Sequence, residues 1–155
     1  MTLLQEAIDN LSIDDVYLRS NSTKVSDDFE PKYNNADGLK IAFKHLVAHA
    51  ETYKVEDPES GDLSYVLRVF VELGARLKDE SPDREYAVEI EAEFVAEYIM
   101  AKQLSNECID EFALSNASFH VWPYWREFLM SQCMRLGMSK IAVPTFQVAS
   151  NQKQD

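Results

Sequence analysis

Leu63-Ser64-Tyr65-Val66-Leu67-Arg68-Val69-Phe70-Val71-Glu72-Leu73-Gly74-Ala75-Arg76-Leu77 decides the fold of this chain. Tyr65, Leu67, Val69, Val71 and Leu73 alternate with Ser64, Arg68 and Glu72, the period of two that a half-buried strand requires. Asp57-Pro58-Glu59-Ser60-Gly61-Asp62 before it and Ser81-Pro82-Asp83 after it are turns. Downstream, Glu85 to Ile99 sets Val88, Ile90, Ala92 and Phe94 against Glu89, Glu91 and Glu93. Upstream, Leu39 to Val55 places Leu39, Ile41, Phe43, His45 and Val47 on one side. Three long strands joined by short turns predict an antiparallel meander with one apolar and one wet face.

Outward from this centre, Val16 to Val25 reads as a further strand, rich in Val, Tyr, Thr and Ser. A polar loop from Asp27 to Gly38 follows it and carries two aromatics, Phe29 and Tyr33. Before the strand, Leu3, Leu4, Ala7, Ile8 and Leu11 recur at helical spacing, and Ser12 to Asp14 is expected to end that helix. Beyond Lys102 the period becomes helical. Asn106 to Ala113 predicts a short helix, Ser115 to Ser118 a polar break. Pro123 then suits the first position of a helix that runs to Leu136 and stops at Gly137. Trp125, Phe128, Leu129, Cys133 and Leu136 would share one face of it. Ile141-Ala142-Val143-Pro144 is extended and Ser150 to Asp155 polar. Strands first and the main helix last give an α+β fold. The expected organisation is a helical segment over 1–14, a domain over 15–147 and a polar tail over 148–155.

Composition narrows the function. The chain has 155 residues, 27 acidic against 15 basic, and a net charge of -12. Phosphate backbones and anionic membrane surfaces both repel such a chain, so neither nucleic acid nor membrane insertion is expected. Glu6 and Asp9 stand where a secretory signal needs a basic start and an apolar run. Cys108 and Cys133, with no zinc-like spacing, read as reduced core thiols. A cytoplasmic protein fits these features. The 4 glycines form no phosphate-binding loop, and no serine sits in a nucleophile elbow. His45 and His49, with Glu51 near, are the one conceivable metal pair; partly exposed polar side chains are the simpler reading. His120 stands without an acid–base partner. The expectation is a non-enzymatic protein without cofactor or metal.

Two surface features remain. Glu89, Glu91 and Glu93 form an acidic row on one strand face, which is either solvated surface or a dock for a basic partner. Phe119-His120-Val121-Trp122-Pro123-Tyr124-Trp125 is dense in aromatics, with Met130, Met134 and Met138 close behind it. Such side chains give broad, adaptable apolar contact, to a polypeptide or to another copy of the chain.

Trp122-Pro123-Tyr124-Trp125-Arg126-Glu127, then Arg135-Leu136-Gly137 and Ile141-Ala142-Val143-Pro144, resembles the SecB protein-export chaperones. Their main helix opens with an aromatic-Pro-Tyr-x-Arg-Glu motif. The resemblance implies a four-stranded antiparallel sheet with a long C-terminal helix packed on it and a homotetramer, a dimer of dimers. It implies a holdase that binds unfolded polypeptides without ATP and keeps them translocation-competent for export. Phe29, Tyr33, Trp122, Tyr124, Trp125 and Met134 become the client-groove candidates. Glu89, Glu91 and Glu93 become the candidates for docking the translocase motor SecA. The short stretch Thr145 to Asp155 and the N-terminal helical segment are more similar to the branch attached to toxin–antitoxin modules. That likeness implies the alternative: a dedicated chaperone that stabilises a labile antitoxin.

Overall fold

Four strands carry the molecule: β1 (Leu11–Val25), β2 (Lys40–Glu56), β3 (Leu63–Lys78) and β4 (Val88–Met100). They pair antiparallel in the order β1-β4-β3-β2. The meander of β2, β3 and β4 is the expected one, and the crossover after β1 returns the chain to the far edge. The computed structural model describes residues 1–33, 38–79 and 83–144. The Ser81-Pro82 turn, the middle of the crossover loop and the tail over 148–155 lie outside the described residues.

Helix α1 (Leu3–Asn10) starts at Thr2, whose hydroxyl caps it by accepting the Gln5 N–H at 3.0 Å. No loop separates it from β1. Leu11 already pairs with Met100, and the Ala101 N–H donates to the Asn10 carbonyl at 2.8 Å. The sheet therefore captures the chain at Leu11, ahead of the expected stop at Ser12 to Asp14.

The two faces of β3 follow the alternation, with one correction. Leu67, Val69, Val71, Leu73, Ala75 and Leu77 are buried on the helix side. The opposite face is not simply wet. Phe70 and Val95 are paired across β3 and β4 and buried there too. His49 stacks on Phe70 at 4.1 Å, and the Arg19 guanidinium lies 5.9 Å from its ring.

A register shift between Val47 and His49 reverses the faces of β2. His45 pairs with Leu73 on the helix side, whereas His49 pairs with Phe70 on the other. The two histidines thus sit on opposite faces of the sheet. They cannot form the metal pair that their spacing allowed. Among the described residues no group of His, Cys, Asp and Glu is placed to hold a metal ion.

The helical region is continuous. Helix α2 (Asn106–Phe112) passes through a π-helical turn, Ala113–Ala117, into α3 (Ser118–Arg135). The expected polar break at Ser115 to Ser118 is absent, because Ser118 is fully buried with its Oγ 2.5 Å from His45 Nε2. Pro123 accordingly lies inside α3 and not at its start. Ser118, Val121, Trp125, Leu129 and Cys133 make the buried stripe, at spacings of three and four. Phe128 and Leu136 flank it, half-buried. The stripe crosses the sheet from His45 on β2 to Thr23 on β1, whose hydroxyl donates to Gln132 at 3.2 Å. Each such side chain contributes about 1.5–3 kcal/mol by burial, so the helix is fixed by its core face.

Gly137 ends α3 with φ +73°. Its N–H donates to the Met134 carbonyl at 3.0 Å, and the Met138 N–H to the Cys133 carbonyl at 3.1 Å. This is the Schellman pattern, which needs the left-handed residue. The chain then doubles back along α3. Ile141 and Val143 enter the core, and Trp122 Nε1 donates to the Pro144 carbonyl at 2.7 Å.

Candidate functional site

The six aromatic and Met candidates do not form one surface. Phe29 and Trp125 are buried in the core, so they are packing residues and not client contacts. The loop turns Phe29 inward through a Phe29 N–H bond to the Ser26 carbonyl at 3.0 Å, and the Arg84 guanidinium lies 5.5 Å from its ring. Trp122 is half-buried beside His45, at 5.8 Å edge to face. Tyr33, Tyr124 and Met134 are exposed, at 80%, 47% and 76%. Tyr33 stands near the C-terminal end of α3, because the Lys32 side chain packs against Gly137.

The acidic row is largely matched by cations. Glu89 is buried and receives the Arg76 Nε–H at 2.5 Å, while Arg76 also binds Glu85 at 2.9 Å. These carboxylates hold the Arg76 guanidinium above its ordinary pKa. Glu93 faces Glu72 across the strands, a like-charge pair offset by Arg19 at 3.6 Å from Glu93 and Lys44 at 3.3 Å from Glu72. Further along β4, Glu97 pairs with Arg68 at 2.8 Å. Glu91 makes no ion pair among the described residues and borders a shallow recess with Ser20, Ser22 and Lys44. An extended basic partner would have to displace internal cations to read the whole row.

Sequence reading missed the largest feature. Edge strand β2, 17 residues long, is almost wholly uncovered on both faces. Ile41 and Phe43 on the helix side and Leu46, Tyr53 and Val55 on the other are each 38–50% exposed. The register shift explains why both faces carry apolar groups. The signal in the sequence was apolar residues at both parities of one strand, a pattern of either full burial or an unpartnered edge. Two further stripes are open. Leu3, Ile8, Ile13 and Leu18 line α1 and the outer edge of β1, and Phe119, Met130 and Met134 line the outer face of α3. Pro123, Arg126 and Glu127 border an open depression with Met130 and Met134.

This arrangement, with strand order β1-β4-β3-β2, a crossover after β1 and one long helix laid diagonally, has a counterpart among solved structures. A SecB-like chaperone of Mycobacterium tuberculosis, solved in complex with a ChAD peptide from an antitoxin, superposes with a TM-score of 0.68. The match covers 93% of this chain and 96% of that one, at 16% sequence identity. The fold is SecB-like. At that identity the likeness is one of architecture. No family model and no curated protein matches the sequence. No helix among the described residues is long and apolar enough to cross a membrane. The conspicuous features of this frame among the described residues are open apolar strips on the sheet edges and on α3.

Proposed function

We propose that the chain is a holdase chaperone dedicated to a labile polypeptide partner of the antitoxin kind. The observation that carries this reading is β2, an edge strand with apolar side chains exposed on both faces. An extended segment laid against it can bury alternate side chains on either face. Several contacts, each contributing about 1.5–3 kcal/mol, give holding without demanding one sequence. A SecB-like chaperone that carries an antitoxin peptide supports the choice of partner. General export service through SecA is the second reading. It has less support, because Arg76 and Arg19 already bind Glu89 and Glu93.

The open stripes on α1–β1 and on the outer face of α3 are assigned to contacts between copies, giving a homotetramer built as a dimer of dimers. Two separate self-complementary patches are what such closed assembly requires. Tyr33, Tyr124 and Met134 stay candidates for partner contact only where assembly leaves them open. Reduced Cys108 and Cys133, both buried, fit a cytoplasmic protein.

Aggregation of a chemically unfolded model protein, diluted with and without the chain, tests the holding function. Protection by the native chain is expected, and Ile41→Asp with Phe43→Asp should reduce it about tenfold or more, since two apolar contacts are lost. Normal protection by a correctly assembled double variant would remove β2 from the site. Recovery of one small unstable protein on co-purification would support the dedicated role; recovery of SecA would support export.

A further inference from the structure

Edge strand β2 carries opposite charges at its two ends, and neither set is paired off among the described residues. At the start, Lys40 stands directly across from Lys78 of β3. Like charges in that position weaken a strand pair. Neither lysine makes an ion pair among the described residues, and Asp79 beside Lys78 is bound to Arg84. Lys44 follows on the same face, 3.3 Å from Glu72. Arg76, across from Ala42, is taken by Glu85 and Glu89. Glu91 stands on β4, two strands in from the edge. Asp37 and Glu80 lie outside the described residues.

At the other end the sign reverses. Glu56, Asp57, Glu59 and Asp62 stand around the β2–β3 turn, all exposed. Asp57 and Asp62 meet across it, the Asp57 N–H donating to the Asp62 carbonyl at 2.8 Å. None of the four makes an ion pair among the described residues, and the nearby Lys54 lies over the Tyr65 ring at 6.0 Å. Over the 17 residues of β2, at about 3.3 Å each, the two ends stand about 50 Å apart. Screening in physiological salt acts over about 8 Å, so neither end cancels the other.

We propose that β2 takes one extended polypeptide segment antiparallel to itself, basic at its N-terminal flank, acidic at its C-terminal flank and alternately apolar between. This rests on the assignment of β2 to the partner and adds the segment's charge order and direction. Antiparallel addition makes the stronger ladder. It sets the start of the segment beside Glu56 to Asp62 and its end beside Lys40 and Lys78. Apolar residues between the flanks meet Tyr53 and Val55 first, then Leu46, and last Phe43 and Ile41. Reaching both ends takes about 15 residues of strand. A net charge of -12 attracts any cation, so the order of charges, not their sum, is what β2 reads.

Three end-blocked synthetic peptides of about 17 residues, sharing one alternating apolar centre, test this by fluorescence anisotropy with the intact protein at low salt. One has two lysines first and two glutamates last, one has the reverse order, and one has serines at both flanks. The two charged peptides have equal net charge, so the acidic chain as a whole attracts them equally. The lysine-first peptide should bind about tenfold tighter than the serine peptide, and salt should erase that advantage. The glutamate-first peptide should fall behind it. A nitroxide at the glutamate end of the lysine-first peptide should broaden amide signals over 40–44 and spare those over 56–62. Lys40→Gln with Lys78→Gln should shrink the advantage and leave the serine peptide's affinity unchanged; should that variant misfold, the peptide series and the nitroxide decide. Equal binding by all three peptides would overturn the charge order while leaving β2 as the partner's site. Broadening over 56–62 instead would overturn the direction. Failure of every peptide to bind would remove β2 from the site, and this proposal with it.

Discussion

Trp122 and Trp125 are three residues apart on one helix and have different tasks. Trp125 lies at the centre of the α3 stripe, stacked against Phe128 at 6.2 Å. Trp122 reaches sideways to His45 and ties down Pro144. Trp125→Ala should therefore cost about 3–5 kcal/mol, the range for truncating a core aromatic. Trp122→Ala should cost visibly less, which urea unfolding of the two variants would measure; equal losses would contradict this division. The sequence places Trp125 on the apolar face with Leu129 and Cys133, yet leaves both tryptophans as groove candidates. Helical spacing puts them within one broad arc, and only the sheet beneath decides. A second residue-scale test concerns the acidic row. Arg76→Met leaves Glu89 buried without its cation, which should cost about 1–3 kcal/mol or more. Adding Glu89→Gln should recover much of that loss in the same urea experiment. A row that served only as solvated surface would show neither the loss nor the recovery.

At the level of elements, strands were easier to read than helices. Alternation in β3 and β4 survives because both strands lie in the sheet centre, where each parity meets a fixed face. β2 was legible as a strand but not as an edge, and the shift after Val47 reversed its faces. Nothing local in Val47-Ala48-His49 announces a bulge. Pro123 and the polar stretch Ser115 to Ser118 depart from expectation for a common reason. Propensity argues for a helix boundary there, but buried Ala117, Ser118 and Val121 hold the helix through it. The C-terminal stop, by contrast, was fully written in Gly137, and it makes the sharpest element-scale prediction. Gly137→Ala must place a Cβ at φ +73° and 3.3 Å from the Lys32 side chain. A loss of about 1 kcal/mol or more is expected from the left-handed strain alone. Thermal unfolding would register it.

The whole molecule leaves more apolar surface open than a monomer of net charge -12 needs to display. Among the described residues three strips are uncovered, and they differ in character. The β2 strip has unpaired backbone along a strand edge and medium-sized side chains on two faces. The α3 strip is a helix face with Phe119, Met130 and Met134 around Pro123. It has no free backbone to offer an extended chain, and its bordering charges Arg126 and Glu127 are opposite in sign. A helix face of that kind suits a symmetric partner, since Arg126 of one copy can meet Glu127 of the next. Met130→Glu with Met134→Glu would bring like charges together at the same place. Both positions are exposed in the chain, so folding stability should change within about 0.5 kcal/mol. Assembly should fall by half, from tetramer to dimer, in light scattering at low salt. An unchanged mass would show that α3 is not a subunit contact and would return Met134 to the list of surfaces open to the partner. If the mass falls while protection against aggregation stays normal per chain, holding resides in β2 within each copy. If both are lost together, the binding surface is completed only between copies.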